Sequence, residues 1–95
     1  MALDVHVVTP EEEVWSGEAD MVIARGTEGE VGILQGHAPL LIRLAEDGLV
    51  RIRRSGGDVE RRVTGGFLHV TSSGMDTRVD VLASGVEEGE RATSG

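Results

Sequence analysis

Short stretches of alternating apolar and polar residues constrain the fold of this chain more than any other feature. The segment LDVHVV at residues 3–8 has an apolar side chain at every second position, which is the period of a strand with one buried face. The sequence SGGD at 55–58 signals a hairpin, EDG at 46–48 a turn, and TGG at 64–66 a bend. No stretch before Ala83 has a helical period, so the pattern predicts an all-β fold.

The turn signals separate about nine short strands at the 8–12-residue spacing that is typical of an all-β sandwich or barrel. Two sheets packed face to face would bury the alternating aliphatic side chains between them. The prediction is therefore a small β-sandwich of two antiparallel sheets. We expect residues 1–84 to form this domain and residues 85–95, which are acidic and rich in small residues, to form a flexible tail or a helix remnant.

Composition excludes several functional classes. The chain has no cysteine, which rules out disulfides and cysteine-bound zinc, and its net charge of −8 disfavours binding to nucleic acid or anionic lipid. Only Trp15 and Phe67 are aromatic, so no platform for stacking bases exists. The N-terminus has no signal-peptide pattern, and no apolar run approaches the roughly 20 residues of a membrane helix.

The glycine-rich stretch TEGEVGILQGHAPLL at residues 27–41 predicts a strand, a sharp corner and a second strand. Glu28, Glu30 and His37 lie near its bends, where binding residues are often found. The stretch is not a phosphate loop, because it lacks the lysine and hydroxyl residue of that motif and its two glutamates would repel phosphate. We interpret it as a docking loop.

No catalytic or cofactor-binding constellation is evident. The three histidines, at positions 6, 37 and 69, lack the spacing of a local metal site, and no serine lies in a nucleophile-elbow context. We therefore predict no catalytic residue, no metal and no cofactor. One alternative stays open: a small metal-dependent enzyme that uses His37 with Glu28 or Glu30.

An arginine cluster lies on both sides of the predicted hairpin, at positions 51, 53, 54, 61 and 62. It has two interpretations, a solvated hairpin tip or a patch for an acidic protein partner, since arginine is the preferred partner of carboxylates. The second interpretation makes the chain a generic β-sandwich adaptor, with Arg51, Arg53 and Arg62 as contact residues.

At residues 28–41 the sequence EGEVGILQGHAPLL resembles the EGE-x-GI-x-PGHAPLL signature of the epsilon subunit of the F-type ATP synthase. The segments LDVHVVTPEEEVWSGEAD, GGFLHV and VDVLA are similar to the same family in the same order, so that the resemblance covers roughly residues 3 to 83. It implies a β-sandwich of two five-stranded sheets, which agrees with the strands counted above and gives about nine to ten short strands in all.

The resemblance also implies a function. Members of this family are non-catalytic rotor subunits of the central stalk, which bind the gamma subunit and the ring of membrane c subunits and couple proton flow to ATP synthesis. Contact with the alpha and beta subunits would be indirect. The implied location is the cytoplasmic face of the plasma membrane, where the protein would be peripheral and held through the complex.

Carried over residue by residue, the resemblance places Glu28, Glu30, Gly36 and His37 at the interface with the c ring. It places Thr9 and Trp15 on the side that faces the gamma subunit. Trp15 has two interpretations, because a large amphipathic ring can be an anchor for a partner or can pack within the edge of its own sandwich.

The sequence departs from the family pattern in two ways. Gln35 stands where family members commonly have proline, so we expect a less rigid loop at this corner. The family usually continues into a C-terminal helical hairpin, whereas this sequence ends after EEGERATSG. We expect inhibition by helix extension, and ATP binding, to be absent from this molecule.

Overall fold

The computed structural model describes residues 2–87 and folds them into strands without a helix. No helix of these residues therefore has the length and apolarity needed to cross a membrane. The alternating segments form strands because every second side chain is buried, as in β1, where positions 3, 5 and 7 are inaccessible to solvent. The eight strands are β1 (Leu3–Val8), β2 (Glu13–Ala19), β3 (Met21–Gly26), β4 (Gly29–Ile33), β5 (Leu40–Arg53), β6 (Val59–Ser73), β7 (Asp76–Ala83) and β8 (Val86–Glu87).

The strands form one hydrogen-bonded sheet in the order β2-β1-β7-β6-β5-β3-β4, with β8 paired to β6. This sheet folds into two layers because β5 and β6 are 14 and 15 residues long and each contributes to both. Residues 40–44 of β5 pair with 66–70 of β6 in the first layer, and residues 48–52 pair with 59–63 in the second. Layer one also contains β1, β2 and β7, and layer two contains β3, β4 and β8.

The prediction of an all-β sandwich is confirmed, with fewer and longer strands than expected. The predicted turn at 46–48 is a bulge inside β5, where the pairing register shifts and Asp47 has a φ of 60°. A bulge bends its strand without ending it. Opposite it, Gly65 and Gly66 have φ values of 96° and 117°, so the predicted bend at 64–66 lies within β6. When the two halves of β5 and the two halves of β6 are counted separately, each layer contains five strand segments.

One pairing differs from the predicted antiparallel arrangement. β1 and β7 run parallel, with Val5 opposite Val79 and Val7 opposite Val81, while the other six pairings are antiparallel. Parallel neighbours need a long connection. Here all the strands between β1 and β7 provide it, and the pairing closes layer one with segments from the two ends of the domain.

The core lies between the layers and is aliphatic, as the composition predicted. Both layers contribute inward-facing side chains, such as Leu68 and Val81 from layer one and Val22 and Ile52 from layer two, all fully buried. Among the described residues, one buried residue is polar: Thr77, which is 2% exposed. At the C-terminal end, β8 pairs with β6 and continues the sheet past residue 84. The rest of the predicted tail lies outside the described residues.

Candidate interaction surfaces

Glu28 and Glu30 lie at the turn between β3 and β4. Both residues are exposed. Gly29 between them has a φ of 131°, a backbone conformation that residues with a side chain rarely adopt. Glu30 lies opposite Arg25 of β3 in the antiparallel register. The turn lines an open groove together with residues 41–43 of β5. These carboxylates are therefore solvent-facing groups on a short, rigid hairpin.

Gly36 and His37 lie in the loop between β4 and β5, which is anchored by hydrogen bonds. The backbone N–H of Gly36 donates to Oγ1 of the buried Thr77 at 2.8 Å, and Ser72 Oγ donates to the carbonyl of His37 at 3.0 Å. The His37 ring nitrogen Nδ1 lies 2.7 Å from the carbonyl oxygen of Ala38 and donates to it. These hydrogen bonds hold the loop against the C-terminal end of β6 and the N-terminal end of β7.

The same loop is held by Gln35, whose side-chain amide donates to the carbonyl oxygen of Met75 at 2.8 Å. The sequence predicted a less rigid loop because proline is missing here. A long-range hydrogen bond instead ties position 35 to the turn between β6 and β7. A proline at position 35 would restrict the backbone locally, whereas Gln35 restricts the loop through a tertiary contact that only the fold provides.

The four residues predicted to face the c ring do not form one cluster. Glu28 and Glu30 lie at the start of β4, whereas Gly36 and His37 lie beyond its end. Five strand residues span roughly 16 Å, so these two groups lie at opposite ends of the strand. Because β4 is the last strand of the sheet order, Glu28 and Glu30 lie at one edge of layer two. The loop with Gly36 and His37 leads from that edge to layer one, where it is hydrogen-bonded to Thr77 and Ser72.

This separation also bears on the metal-enzyme hypothesis. His37 cannot share a first coordination sphere with Glu28 or Glu30 across the length of β4. Within residues 2–87, no three His, Cys, Asp or Glu side chains are grouped to hold a metal ion. His6 does lie between two carboxylates, with Nδ1 2.8 Å from Glu13 and Nε2 3.1 Å from Asp4. These carboxylates approach opposite ring nitrogens, so they do not converge on one point.

Thr9 and Trp15 lie near the same end of layer one, since Val7 of β1 is directly opposite Trp15 of β2. Thr9 closes the turn between these strands, where its backbone N–H donates to the carbonyl of Glu12. Trp15 is on the inward side of β2 and packs against the core, beside Gly17. The structure therefore confirms that Trp15 packs in the sandwich edge, while leaving part of the ring exposed.

The arginine cluster is divided by strand alternation. Arg51 and Arg62 face outward from layer two and pair with Glu60 at 2.7 Å and Asp47 at 3.8 Å, respectively. Arg61 points to the inner side, where its Nε is buried and has no hydrogen-bond partner among the described residues. Of the remaining two, Arg53 is exposed on the outer side and Arg54 lies over the Trp15 ring, 5.7 Å from its centroid. The five side chains do not form the single patch that the sequence suggested.

Sequence reasoning missed a set of exposed apolar side chains. Leu34 and Met75 are 55% and 76% exposed at the anchored loop, and Leu41, Phe67 and Leu82 are 62%, 43% and 44% exposed on strands. The alternation of the strands could have identified two of them. Phe67 and Leu82 are each next to a core residue in the sequence, and neighbouring side chains of a strand point to opposite faces, so both must point outward. Met75 follows Gly74 in the turn between β6 and β7, where no core position is available.

The fold and the arrangement of the candidate residues define a small two-layered β-sandwich domain whose candidate residues lie on its turns and strand edges. The chain matches the ATP synthase delta/epsilon chain β-sandwich domain over residues 2–89, and it belongs to this family. The resemblance predicted from residues 3–83 is thereby confirmed.

Three relatives with the same description support the assignment. The ATP synthase epsilon chain of Frankia casuarinae is 51% identical over 75 residues, covering 79% of this chain and 88% of that protein. The epsilon chain of Thermobifida fusca is 49% identical over 90 residues, covering 93% of this chain and 64% of that protein. The epsilon chain of Mycobacterium sp. strain KMS is 49% identical over 74 residues, covering 77% of this chain and 61% of that protein. The chain thus spans under two thirds of the last two.

Solved structures share the fold. A chain of the Euglena gracilis mitochondrial ATP synthase, from a structure of OSCP, F1 and the c-ring, matches with a TM-score of 0.82 at 23% identity, covering 95% of this chain and 55% of that one. A chain of the Tetrahymena thermophila mitochondrial ATP synthase central stalk and c-ring matches with a TM-score of 0.71 at 19% identity, covering 99% and 73%. At these identities the two matches show the shared fold, whereas the prediction of an accessory chain of an enzyme complex agrees with the epsilon-chain relatives and the family match.

Proposed function

We propose that this chain is a non-catalytic subunit of the central stalk of an F-type, proton-translocating ATP synthase. It binds the gamma subunit and the ring of c subunits, and it transmits rotation between them, so that proton flow is coupled to ATP synthesis. The observation that carries the proposal is family membership over residues 2–89, together with about 50% identity to epsilon chains. In this role the chain needs no active site of its own and no cofactor.

The edge formed by β4 is the surface proposed to meet the c ring. Glu28 and Glu30 lie at the start of this strand, and Gly36 and His37 lie in the loop beyond its end. A partner surface that runs along this edge can reach both groups, although they are not one cluster. The anchored loop supports this role, because its hydrogen bonds to Thr77, Ser72 and Met75 make it a stiff contact for transmitting torque.

The end of layer one that carries Thr9 and Trp15 is proposed to face the gamma subunit. Both residues are partly exposed and lie near one another through the pairing of β1 with β2. Contact with the alpha and beta subunits is indirect. The protein acts at the cytoplasmic face of the plasma membrane as a peripheral component of the complex.

Co-purification with the cognate gamma subunit tests this function. The untagged chain should be retained by tagged gamma, and an unrelated β-sandwich of similar charge should not. Absence of binding at micromolar concentrations of both proteins would contradict the proposal. The adaptor hypothesis is not favoured, because Arg51 and Arg62 are already paired with Glu60 and Asp47 within the chain. The adaptor hypothesis predicts that this chain would instead bind an acidic protein other than the gamma subunit.

A further inference from the structure

On the outer face of layer one, three adjacent strands bring apolar side chains together. Leu82 of β7 lies opposite Val8 of β1 on one side and Phe67 of β6 on the other. Phe67 and Leu82 keep more than 40% of their surface exposed, at 43% and 44%. We call Val8, Phe67 and Leu82 the outer apolar patch. Adjacent exposed apolar side chains on a small domain are typical of an interaction site.

The backbone fixes the geometry of this patch. Gly66 precedes Phe67 and has a φ of 117°, and a Cβ at this position would collide with the carbonyl oxygen of Leu82. The absence of a side chain therefore lets β6 approach β7 closely at the bend. As a result, Phe67 and Leu82 are held next to each other on rigid strands, and the patch is formed before any partner binds.

A cation lies beside the patch. Arg43 of β5 is opposite Phe67 in the register, and its guanidinium lies 5.9 Å from the centroid of the Phe67 ring. Within residues 2–87, no carboxylate lies within 4 Å of Arg43, whereas Arg51 and Arg78 each have one. An anion on a partner would therefore find an oriented arginine that is not in a direct ion pair with a described carboxylate, although Glu28 and Glu30 line a groove with it.

The patch is continuous with a residue already assigned to the gamma-facing side. Val8, Phe67 and Leu82 line a shallow groove together with Thr9 and Pro10. We propose that the outer apolar patch and Arg43 are the main anchor for the gamma subunit, and that they accept an apolar side chain of gamma flanked by a carboxylate. This inference rests on the proposed function. It assigns the energetic centre to Phe67, Leu82 and Arg43, and it leaves Thr9 at the rim.

Affinity for purified cognate gamma subunit, measured by calorimetry, tests this assignment. The double variant Phe67→Ser/Leu82→Ser should bind at least about 30-fold more weakly, the loss expected when a hot spot is removed. Arg43→Glu should lose about tenfold or more, because it places a carboxylate against the carboxylate of gamma. Arg43→Lys keeps the positive charge and should lose less than Arg43→Glu. Met75→Ser removes a more exposed apolar side chain, at 76% exposure, in the turn between β6 and β7 and should bind as wild type does.

The outcomes separate this inference from the function on which it rests. If the wild-type chain does not bind gamma, the proposed function fails. If the wild type binds and both the double variant and Arg43→Glu bind equally well, the anchor is elsewhere and this inference is wrong. A homodimer of the isolated chain that the double variant abolishes would also overturn it, since the patch would then serve a second copy. Should the double variant fail to fold, Arg43→Glu at an exposed position decides the test.

Discussion

The side-chain amide of Gln35 donates a hydrogen bond to the carbonyl oxygen of Met75, 40 positions along the chain, at 2.8 Å. This contact joins the loop between β4 and β5 to the turn between β6 and β7. It fixes a corner that the sequence predicted to be less rigid, because the proline common in the family is absent. The loop proposed to face the c ring is therefore held by tertiary contacts.

Gln35→Met should loosen this loop. Methionine keeps the length of the side chain but cannot donate to the Met75 carbonyl, so the free energy of unfolding should fall by about 1 kcal/mol. Amide exchange should accelerate at residues 36 and 37, while the core amides of β1 and β7 change only with global stability. Urea unfolding and hydrogen exchange measure both quantities. Unchanged exchange in the loop would show that the bond does not hold it.

Thr77→Val should be more costly than Thr77→Ser. The hydroxyl of Thr77 accepts the hydrogen bond of the Gly36 N–H at 2.8 Å, and the residue is 2% exposed. Valine fills the same volume but leaves a part-buried donor without a partner, which costs about 1–3 kcal/mol. Serine keeps the acceptor and loses one methyl group. Equal unfolding free energies for the two variants would mean that packing, and not the hydrogen bond, determines this position.

Gly66→Ala should destabilise the domain severely. The φ of 117° is unfavourable for a residue with a side chain, and the new Cβ would collide with the Leu82 carbonyl oxygen. We expect a loss of more than about 3 kcal/mol in the free energy of unfolding. Gly74→Ala is the matched control, because its φ is 63° and the space around it is open, so a loss of only about 1 kcal/mol is expected. Thermal unfolding of the two variants compares them, and a similar loss for both would contradict the close approach of β6 and β7.

Trp15→Ala should affect both stability and binding. The ring packs against the core and lies under Arg54, so truncation should cost about 2–3 kcal/mol of unfolding free energy. Under the proposed function, it should also weaken binding to gamma at a temperature where the variant is fully folded. Trp15→Phe restores most of the packing and serves as the control.

Fluorescence separates the two roles of Trp15. It is the one tryptophan of the chain, so its emission reports on its surroundings directly. Addition of a gamma subunit whose own tryptophans are replaced should shift the emission to shorter wavelength if the exposed part of the ring becomes buried. Unchanged emission at saturating gamma would restrict Trp15 to its packing role, without affecting the assignment of Phe67 and Leu82.

Glu30→Lys should disturb coupling in the assembled enzyme while leaving gamma binding intact. Glu30 is exposed at the start of the β4 edge and is not among the residues that line the groove of Val8, Phe67 and Leu82, although it shares a second groove with Arg43. A charge reversal at a rim position alters the encounter with the facing surface, here the c ring. Proton-driven ATP synthesis in reconstituted vesicles should fall more than ATP hydrolysis does. Asp58→Lys makes the same change of charge in the exposed β5–β6 turn and should have no such effect.

Alternation and turn chemistry made much of the fold predictable. The apolar positions at 3, 5 and 7 are buried as predicted, and the glycines at 65 and 66 bend the chain as predicted. The turn signal at 46–48 nevertheless predicts two separate strands where the structure has the single strand β5. A local turn signal cannot distinguish a bulge from a strand end, because the difference depends on whether the neighbouring strand continues across it.

The sequence by itself determined the strand-rich class, the aliphatic core and the family, because each depends on local periodicity or on ordered motifs. Only the tertiary structure decided that Glu30 and His37 lie at opposite ends of one edge strand, that Trp15 points inward, and that Phe67 meets Leu82. Strand periodicity states which side chains share a face of one strand. It does not state which strands become neighbours, since that depends on how the whole sheet closes over its core.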